Sequence, residues 1–89
     1  MGLQERRRLA QLYDADNDGK RSRAILLDLL QKDPVNTGTI SALLESLYRD
    51  KRRVEGLEWI DRLEKLEPRS ERVAEFRRRW EKLDRAAGK

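Results

Sequence analysis

Leu29-Leu30-Gln31-Lys32-Asp33-Pro34-Val35-Asn36 and, 34 residues later, Leu63-Glu64-Lys65-Leu66-Glu67-Pro68-Arg69-Ser70 punctuate the chain in the same way. Each run closes a leucine-bearing segment with an acidic residue and a proline, then offers a capping side chain two positions on, Asn36 or Ser70. The residue before proline resists the helical conformation, and Asn or Ser accepts hydrogen bonds from the first N–H groups of a new helix. A fixed period in the thirties is the mark of a helical-hairpin array, in which each unit leaves an apolar face that only the next can cover. The expected fold is therefore all-α: a right-handed superhelix of stacked antiparallel helix pairs, not a closed bundle.

Working outward from the prolines, five helices follow. The first runs from Leu3 to about Ala15, carries Leu9, Leu12 and Tyr13, and meets the turn cluster Asp16-Asn17-Asp18-Gly19. The second, over 20–32, holds Ile25, Leu26, Leu29 and Leu30 and stops before Pro34. Asn36 caps a third helix whose Ile40, Leu43, Leu44 and Leu47 mark one buried face, although Gly38 and Thr39 weaken its first turn. A polar break at 49–51 leads into a fourth helix ending near Leu66, with Val54, Leu57, Ile60 and Leu63 spaced by three. Ser70 caps a fifth, carrying Val73, Phe76, Trp80 and Leu83. Connections this short make neighbouring helices antiparallel.

Composition narrows the function. Eighty-nine residues make one small domain, near the size at which a single core is only just sufficient. Charged residues are 43% and apolar residues 37%, a balance disordered chains share, but here the apolar residues are bunched at helical spacing and can be buried together. The absence of cysteine and histidine removes disulfides, thiolate chemistry and the imidazole base. The carboxylates and lysines stand in no catalytic constellation, so no enzymatic activity, cofactor or metal is expected. The longest apolar run is residues 24–27, far short of the ~20 residues that span a bilayer. Gly2 opens an acylation-like start, but Arg6 occupies the place of the required Ser or Thr. With no targeting segment legible, a cytoplasmic location is expected, and the abrupt ends suggest a piece of a longer protein.

The helix-pair unit with its terminal proline resembles the tetratricopeptide repeat, whose pattern W-x2-L-G-x2-Y, later A-x3-F and then P, can be laid on it twice. Arg6, Leu9, Ala10, Tyr13, Ser22, Leu26 and Pro34 fill the places of the first unit, residues 3–36. Ile40, Leu43, Leu44, Leu47, Gly56, Ile60 and Pro68 fill those of the second, residues 37–70. Small residues at Ala10, Ser22 and Gly56 belong where paired helices cross closely; Arg6 departs from the usual aromatic and Leu44 from the usual Gly or Ala. A third unit begins at the same offset but has Arg77, Arg78 and Glu81 at its apolar places, as a capping helix over 70–87 requires.

Two other patterns compete for meaning. Asp14-Ala15-Asp16-Asn17-Asp18-Gly19 matches the first half of a calcium loop, but the place of the bidentate glutamate is Ile25, with Arg21 and Arg23 between. It reads instead as a turn, with Gly19 in a left-handed or tight conformation and one of Asp16, Asn17 or Asp18 capping. Arginines cluster at 6–8, 52–53 and 77–79, and from residue 69 onward eight basic side chains stand against four acidic ones. Consecutive helical residues point about 100° apart, and Glu75 lies within reach of Arg78 and Arg79. A solvated, partly self-paired surface is the plainer reading, with nucleic-acid binding as the rival. Trp59 sits one residue before the buried-face Ile60, either packing on the fifth helix, as the burial of large aromatics favours, or standing as an exposed anchor.

The resemblance implies a concave groove that holds a peptide, lined by the first helix of each unit. Carried onto this chain, the groove residues are Gln4, Arg7, Gln11, Asp14, Ser41, Glu45, Tyr48, Arg49 and Arg72. Arg7 and Gln11 resemble the start of the family's carboxylate clamp, whose remaining places are held by Ala42, Arg72 and Phe76, so only one further base survives. The expected function is a scaffold-like module that binds a protein or peptide of modestly acidic character and has no membrane contact. The alternatives are a basic nucleic-acid binder and a structural segment that stacks on other repeats or on itself as a homodimer.

Overall fold

The computed structural model describes residues 2–87. The described residues form five helices: α1 (Leu3–Ala15), α2 (Gly19–Lys32), α3 (Thr37–Arg49), α4 (Arg53–Leu66) and α5 (Glu71–Ala87). Each packs on its successor, and α1 also meets α3. The result is an all-α helical stack, with α1, α3 and α5 along one side. Among the described residues no helix is long and apolar enough to cross a membrane.

The period of 34 is written into the backbone. After α1, Asp18 N–H donates to Tyr13 O and Asn17 N–H to Asp14 O; after α3, Arg52 N–H donates to Leu47 O and Lys51 N–H to Tyr48 O. Asn17 and Lys51, 34 positions apart, take left-handed conformations with φ of 64° and 56°. Both helices that end before a proline close on an acidic residue of nearly equal geometry, Asp33 (φ −142°, ψ 79°) and Glu67 (φ −135°, ψ 74°).

The turn after α1 corrects one expectation. Asn17, not Gly19, supplies the left-handed residue, and Asp18 caps α2 by accepting from Arg21 N at 3.2 Å. Gly19 instead begins α2 and is buried there under the Asp50 carboxylate and the Arg23 guanidinium, which a Cβ on it would meet. Asn36 caps α3 by accepting from Thr39 N at 3.0 Å, and the Thr39 hydroxyl reaches the same oxygen at 3.1 Å. That second bond reinforces the first turn that Gly38 would weaken. Ser70 Oγ accepts from Arg72 N at 3.1 Å before α5.

Ile40, Leu43, Leu44 and Leu47 of α3 are essentially inaccessible and form the middle of the core, with Leu26 and Leu30 on one side and Ile60, Leu63, Val73, Phe76 and Trp80 on the other. Ala10, Ser22 and Gly56 are buried, as the close-crossing reading requires. Leu12 and Val54 depart from it: they are 60% and 78% exposed. A period of three drifts around a helix that turns every 3.6 residues, so Val54 falls off the stripe while Gly56, Ile60 and Leu63 hold the buried face of α4. Arg6, where the resembled pattern has an aromatic, ties α1 to α2 through an ion pair with Asp28 at 2.6 Å.

Two consequences are measurable. A Cβ on Gly56 would lie 2.4 Å from the Trp80 ring, so Gly56→Ala should destabilise by about 1–3 kcal/mol in urea unfolding, as overpacking does. Relief of helical glycine alone would instead stabilise by ~1 kcal/mol. The Asp28 carboxyl is held below its ordinary range first by its hydrogen bond from Arg6 and then by the charge of Lys32. The unfolded chain therefore takes up this proton at higher pH than the folded one. The pair's contribution is present above the ordinary aspartate value, about pH 4, and is lost as pH falls through the lowered folded value. Asp28→Asn should flatten the acid side of a melting-temperature profile; an unchanged slope would show that the pair contributes nothing.

Candidate functional site

Three helices on one side of the stack enclose a groove of about 480 Å³, floored by Gly38, Ala42 and Phe76 and walled by Arg7 and Gln11 of α1, Ser41 and Glu45 of α3, and Arg72, Glu75 and Arg79 of α5. It continues between α1 and α3 into a smaller hollow of about 240 Å³ that Gln11, Asp14, Glu45 and Arg49 line. Of the nine residues proposed from sequence, Arg7, Gln11, Asp14, Ser41, Glu45, Arg49 and Arg72 lie here. Gln4 and Tyr48 are not in the lining. Tyr48 packs edge-on against Trp80, ring centroids 5.5 Å apart.

Gly38, Ala42, Glu75, Phe76 and Arg79 were not among the proposed groove residues, yet the period could have found most of them. Arg72, Glu75, Phe76 and Arg79 stand 34 positions after Gly38, Ser41, Ala42 and Glu45. The same helix face is thus presented twice, and α5 extends the groove while capping the core.

Most charges here are already partnered. Asp14 accepts from Ser46 Oγ at 3.1 Å through one carboxylate oxygen and pairs with Arg49 at 3.3 Å through the other. Arg49 also donates to the Asp14 carbonyl at 3.0 Å. Behind them Arg23, only 13% exposed in its side chain, donates to Ser46 Oγ at 3.1 Å and pairs with Asp50 at 2.6 Å. This network stitches the C-terminal ends of α1 and α3 to the start of α2. Arg79 pairs with Glu45 and, at 3.8 Å, with Glu75, and its guanidinium lies over the Tyr48 and Phe76 rings. The Glu75 carboxyl is held below its ordinary range by Arg78 first, with smaller contributions from Arg79 and Lys82.

Two guanidiniums differ. Among the described residues neither Arg7 nor Arg72 has a carboxylate within ion-pair distance. Arg7 lies against Gly38, where a Cβ would come within 2.9 Å of its Nη2. Arg72 donates to Ser41 Oγ at 3.0 Å, one turn further along α3. Both therefore flank the N-terminal half of α3, the positive end of its helix dipole.

Comparison with protein-family models, with curated proteins and with solved structures gives no match.

The Asp14–Ser46–Arg23–Asp50 network reads as a structural joint, and the test is direct. Arg23→Leu leaves Ser46 and Asp50 without their shared donor, and should cost about 1–3 kcal/mol in chemical unfolding. A loss below about 0.5 kcal/mol would place Arg23 with ordinary surface residues.

Proposed function

We propose that this chain is a tetratricopeptide-like protein-interaction module that holds an extended, acidic peptide in the groove of α1, α3 and α5. The observation that carries the reading is the groove itself: a polar hollow with two uncompensated guanidiniums, Arg7 and Arg72, on either side of α3. Guanidinium binds carboxylate through parallel, charge-assisted hydrogen bonds, each contributing about 1.5–3 kcal/mol when water is displaced. Gln11 and Ser41 provide neutral hydrogen-bonding groups for the peptide backbone, and Phe76 an apolar contact between them. The recurrence of the lining at the 34-residue period, the prolines and the small residues at the helix crossings support the family resemblance.

The nucleic-acid alternative draws less support. Arg6, Arg52, Arg53, Arg77, Arg78 and Arg79 each hold a carboxylate, which lowers the uncompensated charge that phosphates would meet.

Peptides selected on the purified chain from a random library should be enriched in Asp, Glu or a free C-terminal carboxylate. Arg7→Glu combined with Arg72→Glu should weaken the best of them at least about tenfold by fluorescence anisotropy, since each substitution removes a charge-assisted bond and adds repulsion. Circular dichroism should be unchanged, because neither arginine braces the fold through an ion pair. Retained affinity in the double variant would move the site elsewhere.

A further inference from the structure

The opposite side of the stack carries a second groove of about 560 Å³ between α2 and α4. Its floor is Leu30 and Trp59, with Leu27, Pro34 and Leu66 along its edges. Leu27 and Leu66 are 41% and 39% exposed and share the groove's lining with the core residue Leu30. Trp59 packs partly against the core cluster and faces this groove. An aromatic and several aliphatic side chains held in one hollow of this size make a surface suited to the apolar face of a helix.

The charges at its rim select the occupant. The charged lining residues are Arg62 and Lys65, and no carboxylate lines the groove. Arg62 lies flat over the Trp59 ring, 4.4 Å from its centroid, and its carboxylate contact is an exposed one to Glu58 at 3.3 Å. Among the described residues Lys65 has no ion-pair partner. A second copy pairing through this same face suits the rim poorly, because it would set Arg62 and Lys65 against their own counterparts.

We propose that the α2–α4 groove docks an acidic amphipathic helix, whose apolar stripe enters between Leu27 and Trp59 while its carboxylates meet Arg62 and Lys65. The site is distinct from the concave groove and does not depend on the reading given to that one.

The test uses two synthetic peptides of about four helical turns, with leucines at i, i+3, i+4 and i+7 and either glutamate or lysine at the flanking positions. Binding is followed by tryptophan fluorescence, in which the 1% exposed Trp80 serves as a constant background, and by amide chemical-shift mapping. The glutamate peptide should shift amides of α2 and α4 and bind at least about tenfold tighter than its lysine twin. Leu27→Glu should abolish the interaction, and Arg62→Glu with Lys65→Glu should reverse the preference between the twins. Because both substitutions fall on exposed or half-exposed positions, helical circular dichroism should be retained; should Leu27→Glu unfold the chain, the charge-reversal pair decides alone. Arg7→Glu with Arg72→Glu should leave this binding intact. Equal affinity for the twins, no binding, shifts confined to α1, α3 and α5, or sedimentation showing a dimer that Leu27→Glu dissolves would each overturn the proposal.

Discussion

The seat of Trp80 on Gly56 governs the far end of the stack, where the ring lies so close to α4 that a single methyl group would collide with it. With the ring docked there and braced edge-on by Tyr48, the apolar sides of α3 and α4 are closed off from water. Burying a tryptophan is worth several kcal/mol, about 3–5 by truncation. The indole Nε1, buried without a hydrogen-bond partner among the described residues, offsets part of that, about 1–3 kcal/mol. Burial wins, and without it the second helix pair would present Leu44, Leu47, Ile60 and Leu63 to solvent.

The opposite joint, between the first two pairs, is solved with polar chemistry. Ser46, which stands 34 positions before Trp80, is fully buried and bonded to Asp14 and Arg23. One interface is filled by a large ring and the other by a hydrogen-bonded network around a small residue. Both keep successive pairs at fixed spacing, and that spacing is what opens a hollow along α1, α3 and α5. The functional proposal depends on this division of labour: Asp14, Arg49, Glu45 and Arg79 are committed to one another, which leaves Arg7 and Arg72 as the cations lining this groove that, among the described residues, hold no carboxylate.

The two sides of the stack then differ in character. The side formed by α1, α3 and α5 is polar with local excess positive charge. The α2–α4 side is apolar with a basic edge, suited to a helix. Both proposals invoke an acidic partner, in keeping with the net charge of +4, and they assign different features of it to the two sides: backbone and carboxylates to one, a leucine stripe to the other.

Much of this was legible in the residues alone. Helix boundaries followed from Pro34, Pro68, Asn36, Ser70 and the Asp16–Gly19 cluster because φ restriction, capping and turn chemistry act over three or four positions. The core of α3 and α5 followed from 3.6-residue spacing; seven of the nine groove residues came from the family resemblance, while the 34-residue offset that relates Glu75, Phe76 and Arg79 to Ser41, Ala42 and Glu45 went unused. What local chemistry could not decide was which charges cancel. Arg49 meets Asp14, Arg79 meets Glu45 and Arg6 meets Asp28 across separations of 22 to 35 residues, and such pairings depend on how helices are brought together. Gly19 shows the same limit: its sequence neighbours mark it as a turn glycine, whereas it begins α2 with the Asp50 carboxylate, from the C-cap of α3, packed against it. Sequence by itself determined the helices, their order and their repeat, since those arise from short-range backbone physics; only tertiary structure decided which arginines remain unpaired and where Trp59 faces, since both depend on neighbours distant in the chain.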